Sequence, residues 1–137
     1  MSADKPCVCD GGSTLVFSCS GAADVGAVAD QAARALSDEG VGTMFCLAGV
    51  GGKVEPILDK TRAAARLVAI DGCPLDCTKH CLDKAGFTDF VHLRVTDLGM
   101  AKGRTPVTPD SVARVVAHIK SLGQPACGEG QTCPDAS

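Results

Sequence analysis

Three cysteines recur in step along this chain: Cys19, Cys46 and Cys73 are separated by 27 residues each time. Each lies at the end of a short apolar run, beside a turn containing glycine. Cys77 and Cys81 continue from Cys73 at intervals of four, the spacing that places side chains on one helical face. Thiolates arranged this way either bind a soft or borderline metal ion or carry out thiol chemistry. Taken singly, a cysteine at the end of a buried strand is usually just a small hydrophobe. Three in phase with a fourth one turn away point to a shared centre. Zinc bound at about 2.3 Å holds four sulfurs roughly 3.7 Å apart, and neighbouring strands lie ~4.8 Å apart, so modest curling of adjacent turns closes the gap. The candidate ligands are Cys19, Cys46, Cys73 and Cys77. Cys81, one turn deeper, reads first as a packing residue and second as a substitute ligand.

The elements that must position these thiols follow from the apolar pattern. An interval of 27 residues is close to the ~30 of one strand-helix-strand unit. Strands are expected at 15–19, 43–47, 66–70 and 90–95. A helix at 23–38 carries Val25, Val28, Ala29, Ala32 and Leu36 on one stripe and stops at Gly40. After a loop at 48–52, Pro56 suits the first turn of a helix that turns Ile57, Leu58 and Thr61 inward. A helix at 74–84 follows the third strand. A Gly-, Lys- and Arg-rich loop at 96–107 leads to a last helix capped by Thr108, with Pro109 at its first position, Val112, Val115, Val116, Ile119 and Leu122 on one stripe, and Gly123 as the stop. This alternation predicts a three-layer α/β fold, Rossmann- or flavodoxin-like, with a mainly parallel sheet of four or more strands and flanking helices. In such a sheet all strand C-termini share one edge, where ligands bind, so the in-phase thiols are expected as neighbours there. Helix N-termini facing that edge predict thiol pKa values below the ordinary range.

Composition agrees with one soluble domain. The 137 residues are 45% hydrophobic and 21% charged, with four Phe and neither Trp nor Tyr, so Ala, Val, Leu and Ile must build the core. A net charge of -3 and scarce aromatic rings give no footprint for nucleic acid. No apolar run reaches the ~20 residues of a membrane span, and residues 1–10 lack the basic start and apolar stretch of a signal peptide. A cytoplasmic protein is expected, in which the nine cysteines stay reduced and serve metal or chemistry rather than a disulfide scaffold. The domain spans 14–123. Polar tails at 1–13, with Cys7 and Cys9, and at 124–137, with Cys127 and Cys133, offer a second metal site, a disulfide or free thiols.

Other residues carry weaker signals. Asp71, before Gly72, suits turn chemistry or a hydrogen bond that supports the thiols from outside. His80 is expected to face solvent, and His92 and His118 to be structural. Met100 falls 27 residues after Cys73, a soft sulfur of little weight. A phosphatase-type anion loop after Cys19 requires Arg six residues on, where Val25 stands. Gly49-Val50-Gly51-Gly52-Lys53 lacks the first glycine and the Ser or Thr of a nucleotide loop, and reads as a tight turn.

The stretch Ile70-Asp71-Gly72-Cys73-Pro74-Leu75-Asp76-Cys77 resembles the central motif of the DGC-domain family. The likeness extends to Cys19-Ser20-Gly21, Cys46-Leu47-Ala48-Gly49, Lys84-Ala85-Gly86 and Thr96-Asp97-Leu98-Gly99, and covers about 15–122. It implies a zinc-binding protein with four chelating cysteines, which fall on Cys19, Cys46, Cys73 and Cys77 of this chain. It implies a site and not a reaction. Two alternatives stand beside zinc: thiol redox or sulfur transfer through Cys73 and Cys77, and an iron-sulfur cluster on the same thiolates. A closed four-sulfur shell would either crosslink strand ends or bind a ligand at the edge.

Overall fold

The computed structural model describes residues 13–122. The elements are β1 (Thr14–Ser18), α1 (Asp24–Asp38), β2 (Thr43–Met44), α2 (Leu47–Gly51), α3 (Glu55–Ala63), β3 (Arg66–Asp71), α4 (Cys77–Lys84), β4 (Val91–Arg94), a 3-10 turn (Val95–Leu98) and α5 (Pro109–Ser121). All strand pairs are parallel, in the order β2-β1-β3-β4. From β1 the chain steps outward to β2 and then crosses back to β3, so the order reverses between β1 and β3. This is the flavodoxin-like doubly wound arrangement, whose ligand crevice lies at that reversal.

Alternation along the strands divides the core into two layers. Val16, Val68, Ile70 and Leu93 face α1 and α5, whose buried stripes include Val28, Ala32, Leu36, Val115 and Ile119. Leu15, Phe17, Leu67 and Ala69 face the other way, onto Val50 of α2, Leu58 of α3 and Leu82 of α4. Phe17 is fully buried with Phe45 edge-on at 6.0 Å, and each such side chain contributes about 1.5–3 kcal/mol. The α1 stripe is buried as expected, and Thr108 caps α5 by accepting the Ser111 N–H at 3.2 Å. Met100 packs in the core, while Leu122, expected on the α5 stripe, is 45% exposed.

Several boundaries differ from the sequence expectation. The strand expected at 43–47 is two residues long, because Cys46 turns the chain directly into α2 where a loop was expected at 48–52. The helix expected from 74 begins at Cys77: Asp76 is left-handed, φ 54°, and cannot continue a helix, so Cys73 to Asp76 form a turn closed by Asp76 N–H to the Cys73 carbonyl at 3.2 Å. The first four residues after β4 form one 3-10 turn that ends at Gly99, φ 83°. Gly123 and the tails with Cys7, Cys9, Cys127 and Cys133 lie outside the described residues.

Candidate functional site

The Asp71-Gly72-Cys73 turn leaves β3 at the reversal point, and each of its residues has a distinct task. Asp71 is 1% exposed. Its carboxylate accepts the Thr78 N–H at 2.7 Å and the Lys79 N–H at 3.2 Å, and pairs with His92 Nε2 at 2.8 Å. It therefore fills the amide donors at the start of α4 from the end of the neighbouring strand. Asp76, at the N-cap position, makes no capping bond itself. Gly72 is required by close approach: a Cβ there would lie 2.8 Å from Gly26 N and from the Val25 carbonyl carbon, both backbone. With no side chain, the turn packs onto the first turn of α1, and Gly72 N–H donates to the Cys19 Sγ at 3.4 Å. Cys19 N–H reaches the Ile70 carbonyl at 3.1 Å, extending the β1–β3 ladder to the thiol itself. The motif thus ties the turn that carries Cys73 to Cys19, 53 residues earlier in the chain.

A clamp from β4 sets the start of α4. Arg94 Nε and Nη2 donate to the two carboxylate oxygens of Asp76, both at 2.6 Å. This guanidinium holds the Asp76 carboxyl below the usual carboxylate range, and the pairing raises Arg94 in turn. His92 bridges the two carboxylates, 2.8 Å from Asp71 and 3.6 Å from Asp76. Ligand atoms of Asp71, Asp76 and His92 all lie within 4.8 Å of one another. Amide hydrogens and the guanidinium already occupy these oxygens, so the trio is a closed network that positions α4. Reasoning from sequence missed Asp76 and Arg94 and saw in His92 only a structural residue. The available signal was Phe90, His92 and Arg94 at period two, which puts His92 and Arg94 on one face of β4 with Phe90 just before it, its ring meeting that of His92 edge-on at 6.4 Å.

The five described thiols are free and all lie near the C-terminal ends of the strands. Cys19, Cys73 and Cys81 are half-buried, while Cys46 and Cys77 are exposed. Cys19, Cys46 and Cys81 line one cleft of about 840 Å³, walled on the α1 side by Asp30 and Arg34. Cys46 stands at the N-cap of α2. Gly51 of α2 faces the Cys81 sulfur of α4 across the cleft, at a distance where an added Cβ would be in ordinary contact, 3.5 Å. Partial desolvation, and after it the Asp71 carboxylate and neighbouring Cys19, Cys73 and Cys81, push the Cys77 thiol above its ordinary range. This reverses the expectation of a lowered value: desolvation is the main cause, and the Asp71 carboxylate, which has taken the α4 amide donors, adds to it. Among the described residues, no three of the thiols have sulfurs mutually within 4.8 Å. His80 is exposed, as expected, and His118 lies half-buried in α5.

A doubly wound parallel α/β domain with thiols along the ligand-binding edge of its sheet is the class that this fold and site define. Within that class the chain belongs to the DGC domain family, whose pattern matches residues 15–119. It is also similar to the anaerobic and virulence modulator AnvM of Pseudomonas aeruginosa, 36% identical over 88 residues that make up 64% of this chain and 67% of AnvM. No solved structure matches the chain. Among the described residues no helix is long and apolar enough to cross a membrane.

Proposed function

We propose that this protein binds one zinc ion through Cys19, Cys46, Cys73 and Cys77 at the C-terminal edge of its sheet. The observation that carries the reading is the Gly72 N–H directed at the Cys19 sulfur, which couples two of the in-phase thiol turns. Such amide donors offset charge on sulfur and suit thiolates gathered on a cation. The donor chemistry fits zinc, which takes four thiolates readily. The turns have to draw inward around the ion, and the Cys46 turn, following a strand of two residues, is the least restrained by sheet hydrogen bonds. Bound zinc would deprotonate the thiols outright and crosslink the ends of β1, β2 and β3.

A shell of four sulfurs leaves no open position for water, so the site is structural or regulatory rather than hydrolytic. The relative AnvM is named an anaerobic and virulence modulator, in keeping with a regulatory centre. A cytoplasmic location, where thiols stay reduced, belongs to the same reading.

The test is metal quantification with a visible spectrum on full-length protein purified under reducing conditions. Colourless protein with one zinc per chain, lost in Cys19→Ser and Cys73→Ser, is the expected result. Brown protein holding iron and sulfide would establish the cluster instead. Zinc-free wild type carrying a reversible disulfide or persulfide would replace this reading with thiol chemistry.

A further inference from the structure

The cleft between α1 and α2, about 840 Å³, falls in the roughly 300–1,000 Å³ range of small-molecule sites, and its two sides differ in chemistry. Toward β2 and α2 it is apolar, with Met44, Phe45 and Leu47. Toward α1 it carries hydrogen-bond donors that the fold leaves open. Ser18, 3% exposed, lines the cleft. The Ser20 N–H at 3.1 Å and the Ser20 hydroxyl at 3.3 Å both reach it as donors, so its own hydrogen has no acceptor among the described residues. Arg34 engages Asp30 through Nε alone, at 2.8 Å, and the two terminal nitrogens of its guanidinium have no partner among the described residues. Asp38 follows Arg34 by four residues on the same face of α1 and borders the cleft with it. It stands in the last turn of the helix, where the macrodipole disfavours negative charge, and forms no ion pair among the described residues. Glu39, one residue on, is by contrast paired with Lys120 at 2.8 Å.

From this arrangement we infer that the cleft binds a zwitterionic amino acid with an apolar side chain. Its carboxylate is the acceptor for the terminal nitrogens of Arg34, with the buried Ser18 hydroxyl as a further donor on the same wall. Its ammonium group is the counterion of Asp38, and its side chain covers Phe45 and Leu47. Each part of such a ligand meets a group that the protein leaves without a partner. A purely anionic ligand would leave Asp38 unanswered, and a purely cationic one would leave the guanidinium and the hydroxyl unanswered. The inference goes beyond the zinc reading and does not depend on it, since recognition falls on side chains of β1, α1 and α2 other than the cysteines.

The experiment titrates L-phenylalanine, 3-phenylpropionate and phenethylamine into isotope-labelled full-length protein and follows the amide NMR shifts. L-Phenylalanine should bind saturably, with shifts gathered at residues 18–20, 34–38 and 44–48. It should bind roughly tenfold more tightly than either analogue, each of which lacks one charged group. Arg34→Gln should weaken L-phenylalanine and 3-phenylpropionate by about tenfold and leave phenethylamine unchanged. Asp38→Asn should weaken L-phenylalanine and phenethylamine and spare 3-phenylpropionate. Both side chains are exposed, so neither variant endangers the fold. L-Serine, which leaves the apolar side uncovered, should bind more weakly than L-phenylalanine. Absence of saturable L-phenylalanine binding overturns the inference. So do shifts gathered outside the cleft, L-serine binding as tightly as L-phenylalanine, equal affinity for L-phenylalanine and its two analogues, or variants that do not discriminate between those analogues. Metal content measured on the same sample keeps the two readings apart, because zinc-free protein that binds L-phenylalanine in this pattern supports the cleft site while removing the four-cysteine one.

Discussion

Replacing Asp71 with Ala tests whether the acid of the central motif is a helix cap or a ligand. The carboxylate is buried, accepts two α4 amide hydrogens and pairs with His92. Alanine leaves two N–H groups and an imidazole without their partner in a place that water reaches poorly. Removing one member of a buried charged network costs about 3–5 kcal/mol. For a domain of this size the melting temperature should fall by roughly 10–20 °C. Asn keeps one acceptor oxygen and should lose about half as much, because the bonds it retains are no longer charge-assisted. Thermal and urea melts belong on metal-free protein, where zinc linkage cannot mask the loss. An Asp71→Ala protein as stable as wild type would refute the capping argument. Full stability combined with loss of zinc would make Asp71 a ligand.

Three further changes probe the surrounding scaffold. Gly72→Ala pushes a methyl to 2.8 Å from backbone atoms of Val25 and Gly26; it should cost about 1–3 kcal/mol in urea melts and, on the proposed zinc reading, lower zinc affinity by shifting the turn that bonds Cys19 through the Gly72 N–H. Asp76→Gly should be more stable than Asp76→Ala by about 1–2 kcal/mol, since both lose the Arg94 pair but only alanine keeps the left-handed strain. Arg94→Ala should destabilise the protein in a pH-dependent way. Asp76 has a folded pKa below the ordinary aspartate value of 3.8, so the pair's contribution is fully present above that value and is lost as pH falls through the lowered one. The difference between wild type and Arg94→Ala in melts should therefore shrink below about pH 4; a constant difference down to pH 2 would refute the pairing.

The order of elements was legible because it rests on local periodicity: the α1 stripe and the apolar run of β3 each report their own burial. Phase along the chain also located Cys19, Cys46 and Cys73 at one edge. What escaped the sequence is long-range. Residues 74–84 look helical throughout, and only the Arg94 clamp, 18 positions away, explains why Asp76 is left-handed and the helix starts at Cys77. The direction of the Cys77 shift was misjudged for a similar reason. A helix N-terminus attracts negative charge, but the sequence does not reveal that the Cys77 thiol is partly desolvated or that the Asp71 carboxylate already occupies the α4 amide donors beside it. The short β2 likewise reflects Cys46 serving as N-cap of α2 in a run whose composition suits a longer strand.

The pattern of backbone strain separates the thiol edge from the rest of the molecule. Among the described residues three that are not glycine have left-handed backbones: Ser20, Lys53 and Asp76. Two of the three adjoin candidate ligands, Ser20 after Cys19 and Asp76 before Cys77. Each costs roughly 1–2 kcal/mol relative to an ordinary conformation. Ser20 has Gly21 beside it, a residue far better suited to that geometry, yet the strain stays on Ser20. Both residues are held in place. Ser20 Oγ donates to Asp30 at 2.7 Å, and Asp30 is in turn paired with Arg34 at 2.8 Å. Asp76 is gripped by Arg94. A fold optimised for stability alone would relax such turns, so their persistence argues that the directions of the Cys19 and Cys77 sulfurs are what the clamps maintain. Because the two apolar layers lie beneath this edge, loosening a clamp should misdirect a thiol long before it unfolds the sheet.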